Sequence, residues 1–234
     1  MESHAVTDRT LEQIEKELDH AIEELLTIGR RLSAHRIAAA GELKRRVEAE
    51  LKTLGMRAPV IEARLEPIAP ADAGFVREDV ALGPCGADAV EFHFSANVGQ
   101  PPMALAKIAS GGELSRLMLA LKRLEADRRA VATLIFDEVD AGIGGEVAQV
   151  VGKKLKQLAR YHQILCVTHL PQIAAFADEH FLVEKEERRG STRSRVTALG
   201  SAERAAELAR MLGGASDSDK FRKAARELLD RAQS

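Results

Sequence analysis

Apolar residues recur at Leu11, Ile14, Leu18, Ala21, Leu25, Ile28 and Leu32, in alternating steps of three and four with Glu, Lys and Arg between them. That spacing is a heptad seam and predicts an α-helix. The seam falters at His35 and Ala38–Gly41 and resumes through Leu43, Val47, Leu51 and Leu54. One long helix is therefore expected from about Asp8 to Leu54, with Gly29 and Gly41 as places for a bend. A seam this narrow buries too little to hold a lone helix, which implies a partner coiled-coil helix. The alternative is an amphipathic helix packed on its own domain.

Gly55 suits a helix C-cap, and Pro59, Pro67 and Pro70 then mark irregular or edge-strand chain. Phe75–Leu82 and the alternating Val90, Phe92 and Phe94 predict two strands, joined at Gly83-Pro84-Cys85-Gly86 as an antiparallel hairpin. His93 falls on the polar side of its strand, which predicts an exposed histidine rather than a metal ligand. Helical spacing returns at Leu114, Leu117, Met118, Leu121 and Leu124, and again from Glu146 to Tyr161. Val131–Phe136 and Gln163–Thr168 are short aliphatic runs of the kind that form strands buried on both faces. A short helix over Leu170–Ala177 follows, then a hairpin of Phe181–Lys185 with Arg193–Ala198. The end of the chain predicts a helix over Ser201–Leu212, beginning Ser-x-x-Arg rather than with a capping box, and a last one capped by Asp217 or Ser218 and running through Leu229. The fold class is α/β: a mostly parallel sheet with helices and an antiparallel hairpin, preceded by a long arm. The expected division is an arm helix over 1–54 and a lobe over 55–234.

Composition narrows the function. Of 234 residues 45% are apolar, enough for a core, but aromatics are only 3%, so that core must be aliphatic. Charged residues make up 30% yet leave a net charge of -2, which gives no global electrostatic footprint for nucleic acid. The best local basic patch is Arg188, Arg189, Arg193 and Arg195 around Gly190; a solvated hairpin tip is the alternative. Cys85 and Cys166 form no CxxC, so neither a zinc site nor a disulfide framework is indicated, and the default compartment is a reducing cytoplasm. Cys85 has no charged neighbour in sequence to activate it, and Cys166 inside its strand is expected to behave as a small hydrophobe. No apolar run approaches the length of a membrane span.

Three segments carry candidate chemistry. Ser110-Gly111-Gly112 lies where a loop becomes a helix, so unpaired N–H groups and the positive dipole end favour a phosphate there, with a simple Ser N-cap as the alternative. Asp137-Glu138 ends the strand at 131–136, at the crevice where α/β sheets bind ligands. Asp137 can hold Mg²⁺ through carboxylate or water oxygens, and Glu138 can polarise an attacking water; a solvated acidic turn is the alternative. His169 follows the next strand, and a right-handed βαβ crossover brings it to the same sheet edge as Asp137-Glu138, where it can donate to a phosphate oxygen or hold the attacking water; a histidine hydrogen-bonded within a loop is the alternative. Gly152-Lys153-Lys154 is a decoy. A phosphate loop needs Gly-x4-Gly-Lys-Ser/Thr after a strand, so this mid-helix run is expected to be a solvated basic face.

Together the segments resemble the signature loop, Walker B strand and switch histidine of ATP-binding-cassette and SMC-type heads. More narrowly, Lys107-Ile108-Ala109-Ser110-Gly111-Gly112-Glu113-Leu114-Ser115-Arg116, Ile135-Phe136-Asp137-Glu138-Val139-Asp140-Ala141-Gly142-Ile143, Val167-Thr168-His169-Leu170-Pro171-Gln172-Ile173-Ala174 and Glu207-Leu208-Ala209-Arg210-Met211-Leu212-Gly213-Gly214 resemble the RecN family of bacterial SMC-like double-strand-break repair ATPases. The likeness runs from about Val47 to the C-terminus and corresponds to that family's C-terminal portion. The wider superfamily often has leucine before Ser-Gly-Gly, where this chain has Ala109.

The resemblance implies ATP and Mg²⁺ as cofactors. Ser110, Gly111, Gly112 and Glu113 would contact ATP held by the opposite head, set apart from the chain's own site, and Asp137 would support Mg²⁺. Glu138 would activate water, His169 would sense the γ-phosphate, and Asp140 would help communicate across an ATP-dependent head-head homodimer. It also implies an N-terminal Walker A lobe, DNA as a partner of the full-length protein, and a cytoplasmic, nucleoid-associated location. Without the phosphate loop the chain alone is expected to be inactive. A chromosome-condensing SMC head and a non-catalytic coiled-coil assembly module remain as alternatives; Leu170-Pro171-Gln172 weighs against the first and the intact Asp137-Glu138 pair against the second.

Overall fold

The computed structural model describes residues 2–77, 80–125, 133–188, 191–213 and 219–233. The heptad pattern forms α1 (Glu2–Thr53), a helix of 52 residues. It is followed by β1 (Val60–Pro67), β2 (Phe75–Arg77), β3 (Val80–Leu82), β4 (Asp88–Ser95) and β5 (Met103–Ala104). Then come α2 (Gly111–Leu124), β6 (Thr133–Phe136), α3 (Gly145–Leu158), β7 (Gln163–Cys166), α4 (Pro171–Ala174), β8 (Phe181–Arg188), β9 (Ser191–Ala198), α5 (Ser201–Met211) and α6 (Asp219–Gln233). No helix among the described residues is long and apolar enough to cross a membrane. The chain forms two compact units, one of Met1–Arg46, Val60–Ser95 and Pro101–Lys107, the other of Val47–Pro59, Ala96–Gln100 and Ile108–Ser234.

In the first unit α1 uses two faces. The seam residues Leu11, Ile14, Leu18, Leu25, Ile28 and Leu32 are exposed. One position along, Ile22, Leu26, Gly29, Ser33, Arg36 and Ala40 repeat with the same three-four spacing and are wholly or partly buried. This second face packs on the unit's own strands, as the amphipathic alternative expects, while the heptad seam lies exposed. Ser33 Oγ donates to the Asp88 carboxylate at 2.8 Å, and Arg36 donates to Asp88 at 3.1 Å and to the Cys85 carbonyl at 2.7 Å. Gly29 is a packing residue, because a Cβ there would sit 2.9 Å from Leu82 Cδ2.

The predicted hairpin of 75–82 with 90–94 does not form. β2 pairs antiparallel with β3, Phe75 opposite Leu82, whereas β4 pairs antiparallel with β1 from Val60↔Ser95 to Pro67↔Asp88. The expected strand Phe75–Leu82 contains the charged triplet Arg77-Glu78-Asp79, a composition that disfavours a continuous strand. Residues 78–79 themselves lie outside the described residues. Gly83 and Gly86 do make the expected turn, exchanging two backbone hydrogen bonds of 3.0 Å. His93 is 9% exposed, a correction to its predicted exposure. Its strand is central rather than an edge: β5 covers it on the side away from β1, with His93 opposite Ala104, and the ring reaches Glu91 Oε2 at 2.5 Å and the Pro102 carbonyl at 3.4 Å.

The second unit is built on a parallel pair, β6 and β7, in register from Thr133↔Gln163 to Phe136↔Cys166 with α3 as the crossover. Val131 and Ala132, at the start of the predicted strand, lie outside the described residues. The strands are not buried on both faces. Phe136 is in the core, but Ile135 is 70% exposed and Leu165 and Val167 share its exposure. Leu134, Ile164 and Cys166 are half-buried on the side of Phe136 and the alternate positions are exposed, a one-sided burial that an apolar run does not reveal. Val47, Leu51 and Leu54 of the α1 end are fully buried in this unit, as are Leu117, Leu119, Val139 and Val151. Ala174, Leu208, Ala209 and Ala225, with Phe221 and Leu228, join α4, α5 and α6 in a second aliphatic core.

The Gly152–Lys154 run is not a solvated face. Gly152 is buried against Phe176 Cδ2, 2.5 Å from a Cβ placed there, and Lys154 is buried and paired with Glu50, while Lys153 is exposed. The predicted short helix after His169 is a single turn, Pro171–Ala174. At α5 the Glu203 carboxylate accepts the Gly200 N–H at 2.8 Å, half of the capping box that the Ser-x-x-Arg reading denied, because the cap is Gly200 and not Ser201. The tip residues Arg189 and Gly190, Gly214, and the proposed caps Asp217 and Ser218 lie outside the described residues. In the hairpin, Arg195 donates to Glu186 at 3.2 Å, so part of the basic patch is compensated locally.

Candidate functional site

β6 ends at Asp137-Glu138, and the chain turns at once. Glu138 has φ +55°, a left-handed backbone that non-glycine residues rarely adopt. The turn is fixed by the Asp137 carboxylate accepting the Glu138 N–H at 2.9 Å and by the Glu138 carbonyl accepting the Ala141 N–H at 2.9 Å. Asp140, inside this turn, is 4% exposed. Its Oδ2 accepts the Thr168 hydroxyl at 2.5 Å and the His169 N–H at 2.9 Å, and lies 3.0 Å from His169 Nδ1. The parallel register makes this possible, because β6 and β7 end side by side and Val167 N–H still donates to the Phe136 carbonyl at 2.9 Å. Asp137, Glu138 and His169 thus share one sheet edge, with Asp140 as the buried link.

The start of α2 packs on the same turn. Ser110 is its N-cap, with Oγ accepting the Glu113 N–H at 3.4 Å. Ser115 Oγ donates to the Asp137 carbonyl at 2.6 Å, and Arg116 donates to the carbonyls of Val139 at 3.3 Å and Ala141 at 2.8 Å. Gly112, Ser115 and Arg116 lie on one helix face at i, i+3 and i+4. The glycines are needed for contact: a Cβ on Gly112 would lie 2.6 Å from Ala141 Cβ and 2.9 Å from the Glu138 carbonyl, and one on Gly111 would collide with Glu138 Oε2. Within the chain the start of α2 therefore lies against this turn, and the left-handed Glu138 carries its carboxylate toward Gly111.

Ser115, Arg116 and Thr168 are site residues that sequence reasoning passed over. A sequence signal existed for the first two, since the i+3 and i+4 positions after Gly112 must share its face. Burial pulls the Arg116 guanidinium below its ordinary pKa, with Glu113 and Asp140 opposing. Burial, followed by the charges of Asp140 and Asp137, pushes the Cys166 thiol up to about 12, which makes it inert beside the site.

Among the described residues there is no cluster of three or more His, Cys, Asp or Glu able to cage a metal ion. Asp137 is an exposed carboxylate with backbone on one side. Such a donor suits Mg²⁺, which takes one or two carboxylates and completes its shell with water and phosphate oxygens. The exposed N-terminus of α2 beside it suits an anion.

No family model matches the chain. It is 44% identical over 243 residues to the DNA repair protein RecN of Mycobacterium tuberculosis, covering 99% of this chain and 40% of that protein. This chain belongs to the RecN family. RecN of Bacillus subtilis is 38% identical over 229 residues, covering 96% of the chain and 40% of that protein. RecN of Streptomyces coelicolor is 46% identical over 209 residues, covering 89% and 36%. The chain thus spans about 40% of the length of the curated RecN relatives it matches. Among solved structures, the SMC head domain with a coiled coil and joint from Pyrococcus yayanosii superposes with a TM-score of 0.53 at 19% identity, over 85% of this chain and 34% of that one. The RecN chain and the SMC head share a fold.

Proposed function

We propose that this chain is the C-terminal lobe of a RecN-type ATPase head, joined to the returning arm of a coiled coil, and that the full-length protein hydrolyses ATP in DNA double-strand-break repair and recombination. The observation that carries the reading is the convergence of Asp137, Glu138 and His169 on one sheet edge through the buried Asp140. Asp137 supports Mg²⁺, Glu138 orients and deprotonates the attacking water, and His169 contacts the γ-phosphate. Ser110, Gly111, Gly112 and Glu113 offer the α2 N-terminus to ATP held by a second head, and Asp140 links that contact to His169. ATP then sits between two heads of a homodimer. For Glu138 to serve its own head, its carboxylate must leave Gly111 as that interface closes.

The phosphate cradle belongs to an N-terminal lobe, and the exposed Ile135, Leu165 and Val167 supply an apolar sheet face for it. The exposed seam from Leu11 to Leu32 supplies the face for a partner coiled-coil helix. DNA binding belongs to the full-length protein, in the cytoplasm at the nucleoid. The test is ATP turnover by the full-length protein, by its Glu138→Gln variant and by this chain alone. Turnover by the first alone is expected; substantial turnover by this chain alone, abolished by Glu138→Gln, overturns the division of labour between lobes.

A further inference from the structure

α1 enters the second unit through Val47–Thr53, and inside that unit its end is pinned by a charge cluster outside the candidate site. Val47 and Leu51 are fully buried, and between them Glu50 is 17% exposed at its side chain. Its Oε1 accepts from Arg123 Nε at 3.1 Å, at the C-terminal end of α2, and from Lys154 Nζ on α3. The Lys154 side chain is 11% exposed. A lysine so desolvated needs a counter-charge, and a single carboxylate oxygen serves two cations from two helices. Beyond the helix, Gly55 at φ +86° lets the chain pass closely over α3, where a Cβ would lie 2.8 Å from Val147 Cγ1 and 3.5 Å from Ile143 Cγ2.

The elements gripped in this way bracket the candidate site. α2 begins at Ser110-Gly111-Gly112, Ile143 lies in the loop after Asp140, and α3 continues from that loop. We propose that Glu50 is a positioning residue: by bridging Arg123 and Lys154 it sets α2 against α3, and so sets the spacing of Ser110–Gly112 from the Asp137–Asp140 turn. Removing its charge leaves two cations facing each other, which drives the helices apart. The inference rests on the proposed ATPase reading for its kinetic consequence only.

The experiment uses the full-length protein with Glu50→Gln, Arg123→Gln and the neutral pair Glu50→Gln/Lys154→Met, read by ATP kinetics and by electron–electron distances between nitroxides at Met118 on α2 and Lys153 on α3. For Glu50→Gln, kcat is expected to fall about tenfold with KM for ATP within about twofold, since the spacing acts on the reacting complex and not on binding. The distance distribution should broaden, and the neutral pair should restore both readouts. Arg123→Gln, which leaves Lys154 paired, should show a smaller loss in the same direction and keeps the test open if Glu50→Gln fails to fold. Unchanged kcat and unchanged distances in folded Glu50→Gln, or in Arg123→Gln should Glu50→Gln not fold, overturn the proposal. A wild-type protein without turnover sinks the ATPase reading instead, and the distances then decide the positioning role alone.

Discussion

Asp140 holds His169 twice through one carboxylate oxygen, accepting the backbone N–H at 2.9 Å and lying 3.0 Å from ring Nδ1. The carboxylate is buried, whereas the ring is exposed, so the orientation of the histidine is fixed from beneath. Asp140→Ala removes the acceptor and leaves the Thr168 hydroxyl and His169 N–H without it. Unfolding in urea should show a loss of about 2–4 kcal/mol. Nitrogen NMR of the ring should shift from a fixed Nδ1–H tautomer to a mixture, and an unchanged tautomer in the variant would refute this account of how the ring is oriented.

Glu138 stands at φ +55°. A left-handed non-glycine residue costs about 1–2 kcal/mol, and glycine removes that strain while adding freedom to the unfolded chain. Glu138→Gly should therefore stabilise the chain by roughly 0.5–1 kcal/mol net, while Glu138→Gln, which keeps the strained backbone, should not. Denaturation midpoints of the two variants measure the difference directly. Destabilisation by Glu138→Gly would mean that its side chain, rather than its function, holds the turn.

Gly111 and Gly112 separate two kinds of close approach. A methyl on Gly111 meets the far end of the Glu138 side chain, which can swing away, but a methyl on Gly112 meets Ala141 Cβ at 2.6 Å and the Glu138 carbonyl at 2.9 Å. Overpacking against backbone costs about 1–3 kcal/mol. Gly112→Ala should lose that much stability in urea, and Gly111→Ala less than about 1 kcal/mol. Equal losses would show that α2 yields as readily as a side chain.

What the sequence revealed here depended on range. The heptads of α1, the βαβ order and the Asp137–His169 edge follow from local periodicity and parallel handedness, and each needs only neighbouring elements. Around β1 the prolines predict irregular or edge-strand chain, and an edge strand forms there, its alternation of Ile61, Ala63 and Leu65 with Glu62, Arg64 and Glu66 being the finer signal. The partner of β4 was not legible, because Gly83–Gly86 is an equally good turn whichever strands flank it. Nor could periodicity tell that Ile135 and Leu165 face outward, since an apolar residue reads the same whether its cover comes from this chain or another. Glu138 against Gly111 required the left-handed turn, for which Asp-Glu carries no warning.

The two thiols should react very differently. Cys85 is exposed, while Cys166 is half-buried beside Asp137 and Asp140 with its thiol raised to about 12. The thiolate is the nucleophile, so at pH 8 Cys166 presents almost none. Ellman's reagent should titrate one thiol in the native protein and two in denaturant, with Cys85→Ser removing the native reaction. Prompt labelling of Cys166 would contradict its burial.

His180 links acid sensitivity to the second aliphatic core. Burial lowers its pKa, the Arg204 cation lowers it further, and Glu207 opposes. Arg204 cannot move away cheaply, because it donates to the carbonyls of Ala174, Ala175 and Ala177 behind α4. The folded state therefore binds a proton less readily than the unfolded chain, whose histidine titrates near 6.5. Between the unfolded value and the lowered folded one the unfolded state carries more protons, so stability rises with pH and falls on acidification through that window. Above about pH 6.5 both states are neutral and the penalty is absent. His180→Gln removes the titration. Urea unfolding of both proteins at neutral pH and at steps below 6.5 should show the wild type losing stability relative to the variant as pH falls. A difference that stays constant across the window, or that moves in favour of the wild type on acidification, would show that the proton is accommodated beside Arg204.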